Sequence, residues 1–269
     1  MMGNKVSMAL PIHYVELAEK LADIARPIVT SFFRSKINII DKENSTPVTA
    51  ADREAETAIR NIIEIECPDH GILGEEFGGH KIDAEYVWVI DPIDGTKAFV
   101  TGKPLFGTLI ALCRNGRPVL GIIDQPVLDD RWVGAFGHPT KHNGNIISTR
   151  DCSKIDDAWL SATSPDMFTG KHEIAYKHLA GKVKCPVYGG DCYSYGLLAS
   201  GFSDIICEAM MQPYDYCAHV PIIEGAGGKI SDWAGDPLNF LSDGTVLAAG
   251  DPILHKIAVD ILSKSMKYD

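Results

Sequence analysis

The sequence predicts an α/β chain whose N-terminal half is α+β, and three observations predict it. Apolar residues recur at helical spacing near the start. Extended apolar runs follow one another in the middle, with an Asn-Gly step between two of them. Beyond about residue 158, short apolar stretches alternate with helical patterns. Taken in order, Leu17, Leu21, Ile24, Ile28 and Phe32 place an amphipathic helix over about 13–34, disturbed at Pro27, whose ring removes a donor. The polar stretch from Asp41 to Pro47 reads as a loop. A second helix starts near Thr49, whose hydroxyl can cap it while Asp52 sits three residues on. It continues through Ala55, Ile59 and Ile62 and ends before Pro68.

The run Tyr86-Val87-Trp88-Val89-Ile90 is a strand ending in Asp91. Leu105 to Cys113 and Pro118 to Asp124 form a hairpin across Asn115-Gly116, and Arg131 to Phe136 extends the meander. Later strands are expected at 158–163, 183–187 and 203–207, and helices at 171–180, 191–200, 214–226 and 251–264. There is no internal repeat and no Pro- or Ser-rich linker. Residues 1–269 are therefore expected to form one unit, with a half at about 1–150 packed on a half at about 151–269.

Composition narrows the function. With 45% hydrophobic and 23% charged residues the chain reads as globular, and no apolar run reaches membrane-spanning length. The first ten residues lack an apolar h-region, so no signal peptide and a cytoplasmic location are expected. Seven cysteines without a C-x-x-C pair form neither a disulfide framework nor a zinc signature. A net charge of −11 argues against general nucleic-acid binding. The nine histidines show no zinc spacing, and there is no G-x-S-x-G elbow or C-x₅-R loop.

The chemistry concentrates in Asp91-Pro92-Ile93-Asp94-Gly95-Thr96. Two carboxylates three residues apart at a strand end are hard oxygen ligands of the kind Mg²⁺ takes. Gly95 and Thr96 offer N–H groups and a hydroxyl where a helix can begin, a place that favours a phosphate. Asp, Gly and Pro are also ordinary turn residues, so the company of this motif matters. Gly74-Glu75-Glu76 lies upstream, Tyr214-Asp215-Tyr216 downstream, and Glu224-Gly225-Ala226-Gly227-Gly228 follows. Ordered over about residues 45–230, these residues resemble the inositol monophosphatase family of Mg²⁺-dependent sugar and polyol phosphatases.

The resemblance implies a layered α-β-α-β-α sandwich, a homodimer and two or three Mg²⁺ per active site. It implies Glu75, Asp91 and the carbonyl of Ile93 at one ion, and Asp91, Asp94 and Asp215 at a second, with Asp91 bridging. A third, weaker position involves Glu75. Thr96 paired with Asp52 would orient the nucleophilic water, Gly95 and Thr96 would cradle the phosphate, and metal-activated water would attack directly without a phosphoenzyme. Plainer roles stay open: Asp52 as a capping-box partner of Thr49, Glu75 and Glu76 as solvated acids, Asp215 as a helix-dipole acid, Lys42 and Lys97 as exposed lysines, and His219 as a packed histidine.

Tyr188 to Tyr195 and Glu208 are expected to form the substrate pocket, with Asp191 and Glu208 able to bind polyol hydroxyls or a cationic alcohol. Ile40-Asp41-Lys42, Thr46-Pro47-Val48-Thr49, Gly102-Lys103-Pro104 and Gly190-Asp191-Cys192-Tyr193 resemble the histidinol-phosphate phosphatase branch, although the usual Trp-Asp is Tyr214-Asp215 here. The expected substrate is thus the small phosphate ester histidinol phosphate, with inositol-1-phosphate or another polyol phosphate as the alternative. Two further readings are a haloacid-dehalogenase-type phosphatase, which would form an aspartyl phosphate, and a cation-binding scaffold without turnover.

Overall fold

The structure, a computed structural model, describes residues 9–35, 40–41, 47–48 and 50–266. Residues 1–8 of the N-terminal segment read for a signal peptide, Lys42 with most of its loop, and the Thr49 cap lie outside the described residues. Helix α1 (Ile12–Phe32) buries Leu17, Leu21, Ala25 and Val29 and continues through Pro27. The expected disturbance is absorbed because Ala25 and Val29, buried on either side of the proline, keep the helix packed on its sheet. A short ladder of β1 (Ile40–Asp41) and β2 (Pro47–Val48) leads to α2 (Ala50–Glu66), which buries Ala51, Ala55, Ile59 and Ile63 at helical spacing.

The larger sheet then forms from β3 (Gly71–Gly74), β4 (Gly78–His80), β5 (Tyr86–Asp94), β6 (Gly107–Arg114), β7 (Arg117–Gln125), β8 (Asp130–Ala135), β9 (Lys141–His142) and β10 (Asn145–Ile146), with helix α3 (Thr96–Val100) after β5. Its order is β10-β9-β8-β7-β6-β5-β3-β4. Asn115 and Gly116 both have positive φ, 49° and 82°, as a two-residue hairpin turn between β6 and β7 requires.

The second half supplies β11 (Trp159–Ala162), α4 (Lys171–Ala180), β12 (Cys185–Tyr188), α5 (Asp191–Ala199), β13 (Ile205–Glu208), α6 (Pro213–Tyr216), α7 (His219–Gly225), β14 (Lys229–Ser231), β15 (Val246–Ala249) and α8 (Pro252–Ser265). These strands form a mixed sheet in the order β12-β11-β13-β15-β14. One helix was expected over 214–226. Two are present, because Pro221 has no N–H to give the Cys217 carbonyl, although Cys217 and Ala218 keep helical dihedrals.

Alternation along the strands separates the layers. Trp88 and Ile90 of β5 face α1 and α2, whereas Val87 and Val89 face a middle layer containing α5, α6 and α7. In the second sheet, Ile206 and Ala248 face that same middle layer, while Ile205, Cys207 and Leu247 pack outward against α4 and α8. The chain is thus an α/β sandwich with the layering α-β-α-β-α. Helix α7 sits directly on β7. A Cβ on Gly121 would lie 1.9 Å from the Ala218 carbonyl oxygen, so only glycine permits this approach.

Candidate active site

The aspartates of the D-x-x-D motif share a face because β5 carries a bulge. In an unbroken strand, side chains three residues apart point to opposite faces. Here Asp91 pairs with Leu109 and Asp94 with Gly107, three steps on β5 against two on β6. The extra residue turns Ile93 into the α1–α2 core, fully buried, and returns Asp94 to the side of Asp91. The Asp91 carboxylate accepts a hydrogen bond from the Ile93 N–H at 3.0 Å, and Thr108 Oγ1 donates to the Pro92 carbonyl at 2.7 Å, which fixes the bulge.

The middle layer brings the partners. Asp94 accepts from the Cys192 N–H in the first turn of α5 at 2.7 Å. Asp215, in the first turn of α6, accepts from the Gln212 N–H at 2.7 Å in a capping box. Carboxylate oxygens of Asp91, Asp94 and Asp215 all lie within 4.8 Å of one another. Glu75 stands outside this tight set, but its charge acts on Asp91. The buried Asp52 acts on Asp91 as well.

Charge crowding follows. Burial, then the charges of Glu75, Asp94, Asp215 and Asp52, holds the Asp91 carboxyl well above the ordinary range. Asp94 is pushed up by burial and by Asp191 and Asp215, against the opposing hydrogen bond from Cys192. Like-charged carboxylates gathered in a low-dielectric site repel unless a cation or protons neutralise them, so this donor set fits a hard divalent metal.

A cleft of about 440 Å³ opens beside the cluster, lined by Glu75, Asp94, Gly95, Thr96, Lys97, Asp191, Glu208 and Asp215. Gly95, with φ 83°, precedes α3, and Thr96 Oγ1 donates to the Ile93 carbonyl at 3.2 Å. Asp191 opens α5 with φ 43°. Burial and then Glu208 push its carboxyl up to about 6, with Lys97 and Lys103 pulling the other way. Glu208 is almost wholly buried and already engaged, accepting from the Thr163 N–H and hydroxyl at 2.9 and 2.6 Å and from Tyr195 Oη at 2.8 Å. His219 stacks on Tyr195 with ring centres 3.8 Å apart, and burial pushes its pKa down to about 3.

The sequence reasoning passed over the outer wall of the cleft, where Thr163, Asp166, Met167, Met210 and Met211 come from loops after β11 and β13. Their residue types carry no motif. It also passed over Glu56, a fully buried glutamate whose signal was legible, since it falls on the apolar face of α2 with Asp52, Ala55 and Ile59.

Comparison with known proteins matches residues 13–267 to the model of the inositol monophosphatase family. The chain belongs to the inositol monophosphatase family. It is a phosphatase of the phosphoric monoester hydrolase class, as the family is. The chain is 48% identical over 258 residues, 93% of its own length and 75% of the relative's, to a bifunctional phosphatase IMPL2, chloroplastic, of Arabidopsis thaliana. It is 34% identical to a histidinol-phosphatase of Chlorobaculum parvum, covering 87% of this chain and 91% of that one. Among solved structures, an inositol monophosphatase from Zymomonas mobilis superposes with a TM-score of 0.87 at 47% identity, covering 93% of this chain and 98% of that chain. Other family members share the fold, including an inositol monophosphatase from Anabaena at TM-score 0.81 and 28% identity over 94% of this chain and 96% of that one. Among the described residues, no helix is long and apolar enough to cross a membrane.

Proposed function

We propose that this chain is a Mg²⁺-dependent phosphatase that hydrolyses histidinol phosphate to histidinol. The observation that carries the metal reading is the meeting of Asp91, Asp94 and Asp215, from two elements far apart in sequence, within 4.8 Å, with Asp94 and Asp215 lining a cleft. These three residues, with Glu75 and the Ile93 carbonyl, would hold the ions. Bound Mg²⁺ would neutralise the charge of the ester and lower the pKa of a water molecule.

The chain's own groups do the rest. The N–H groups of Gly95 and Thr96, at the start of α3, would donate to the phosphate oxygens. The Thr96 hydroxyl, which donates to the Ile93 carbonyl in this structure, would turn and, with the buried Asp52, orient the attacking water. Glu75 adds negative charge that acts on Asp91.

Substrate preference follows from the charge of the wall. Asp191, whose carboxylate lies against Gly95, and Asp166 add carboxylates to the cleft, which Met167, Met210 and Met211 also line. Such a wall favours an alcohol carrying an ammonium and an imidazole over a neutral polyol. The histidinol-phosphatase relative supports the same choice. Inositol-1-phosphate is the second reading, supported by a relative of that name from Bacillus subtilis at 31% identity and by the ability of Asp191 to accept from hydroxyls. The proposal includes one catalytic unit over residues 1–269, a homodimer and a cytoplasmic enzyme. Side-by-side kcat/KM values for histidinol phosphate, inositol-1-phosphate and fructose-1,6-bisphosphate decide the substrate. A preference for inositol-1-phosphate would reverse the choice.

A further inference from the structure

We propose that Glu56 is a positioning residue that fixes the turn carrying Glu75 and so sets the affinity of the site for its divalent cation. This rests on the metal reading above. Glu75, Glu76 and Phe77 form the three-residue turn between β3 and β4, at the edge of the larger sheet. Two anchors hold the turn. The Glu75 N–H donates to the carbonyl of Ile90 at 3.2 Å, the residue before Asp91, which ties it to the strand that ends in the metal motif. From the other side Glu56, one helical turn after Asp52 on α2, presents its carboxylate to the turn's backbone. Its Oε2 accepts from the Glu76 N–H at 2.8 Å and its Oε1 from the Phe77 N–H at 3.3 Å.

Glu56 is fully buried, a position a carboxylate occupies at high cost unless its lone pairs are filled. Arg60 supplies the charge partner, donating from Nε to Glu56 Oε1 at 2.7 Å and from Nη2 to the Gly78 carbonyl at the far end of the same turn. The guanidinium groups of Arg53 and Arg60 also lie over the Phe77 ring, at 5.0 and 5.9 Å from its centre. Gly74 leaves the space for this arrangement, since a Cβ there would lie 1.9 Å from Glu56 Oε1.

Among the described residues, Glu56 is hydrogen-bonded to Arg60, Glu76 and Phe77 and not to Asp91, Asp94 or Asp215. It acts through the backbone of the residue next to Glu75, as an outer carboxylate does when it orients a metal ligand.

The test is Glu56→Gln, which keeps the shape but loses the charge and one acceptor oxygen facing an N–H. Titrating MnCl₂ into the metal-free protein, followed by electron paramagnetic resonance, should show Mn²⁺ affinity about 10- to 100-fold weaker than wild type. The Mg²⁺ concentration for half-maximal phosphate release should rise in parallel, while kcat at saturating Mg²⁺ recovers most of its wild-type value. A variant with lowered Tm but unchanged Mn²⁺ affinity would overturn the proposal, because Glu56 would then only hold the hairpin. Should Glu56→Gln not fold, Gly74→Ala, whose methyl displaces the same carboxylate, is judged on the same readings. A wild-type protein that binds no Mn²⁺ at all would instead refute the metal reading itself.

Discussion

Asp191 offers a test in which stability reports the electrostatics of the cleft. Its carboxyl is raised from 3.8 to about 6 by burial and then by Glu208. At about 1.4 kcal/mol per tenfold, that difference corresponds to about 3 kcal/mol. The folded state holds the proton more tightly than the unfolded chain, so stability is lost as pH rises from about 4 through 6 and the penalty is complete at neutral pH. Asp191→Asn removes the charge without straining the backbone, because Asn tolerates the positive φ of 43° found here. At pH 5 about half of the penalty is already in place, so the advantage of the variant should grow by about 1.4 kcal/mol between pH 5 and 7.5. For a chain of this size that is a Tm gap widening by about 3 to 6 °C. Thermal unfolding of both proteins in EDTA at the two pH values measures it. A gap that stays constant or narrows would refute the burial of the Asp191 carboxyl beside Glu208 as the source of its raised pKa.

Tyr195→Phe takes a hydroxyl from the buried Glu208 carboxylate and should cost about 1 to 3 kcal/mol in urea denaturation, and an unchanged midpoint would show that the carboxylate finds another donor. Gly121→Ala sets a methyl against backbone at Ala218 and should destabilise by at least about 1 to 3 kcal/mol. Because it displaces the start of α7 behind Asp215, it should also weaken Mg²⁺ binding in calorimetry. A variant with wild-type stability would mean that sheet and helix are less tightly seated than the structure has them.

Most of the fold was legible because its strands and helices carry clean periods. The hairpin at Asn115-Gly116, the run ending at Asp91 and the helices at 171–180 and 251–264 all repeat the local chemistry of their elements. Short edge elements were not. Gly71–Gly74 and Gly78–His80 have too few apolar residues to show a period, and Val246–Ala249 is a brief run between glycines. The split of the helix at 214–226 has a cause visible in the sequence, Pro221, which has no N–H to continue the ladder.

The site divides in the same way. Asp91, Asp94, Gly95 and Thr96 announce themselves by spacing. That Asp215 reaches them depends on the middle layer, a tertiary fact that only the family resemblance carried ahead of the structure. The bulge that sets Asp91 and Asp94 on one face is likewise invisible in a hexapeptide whose odd spacing argues for opposite faces. Glu208 lines the cleft as expected of a substrate-pocket residue, and its hydrogen bonds from Thr163 and Tyr195 are partners that sequence distance conceals.

The account stands most directly on calorimetric titration of MgCl₂ into the metal-free wild type and into Asp94→Asn, paired with phosphate release from histidinol phosphate. It predicts saturable Mg²⁺ binding and Mg²⁺-dependent release by the wild type. For the variant it predicts a retained fold, weakened Mg²⁺ binding and turnover lower by roughly a thousandfold, about 4 kcal/mol of transition-state stabilisation. Release by the wild type in EDTA, or an Asp94→Asn protein that turns over as fast as its parent, would contradict it.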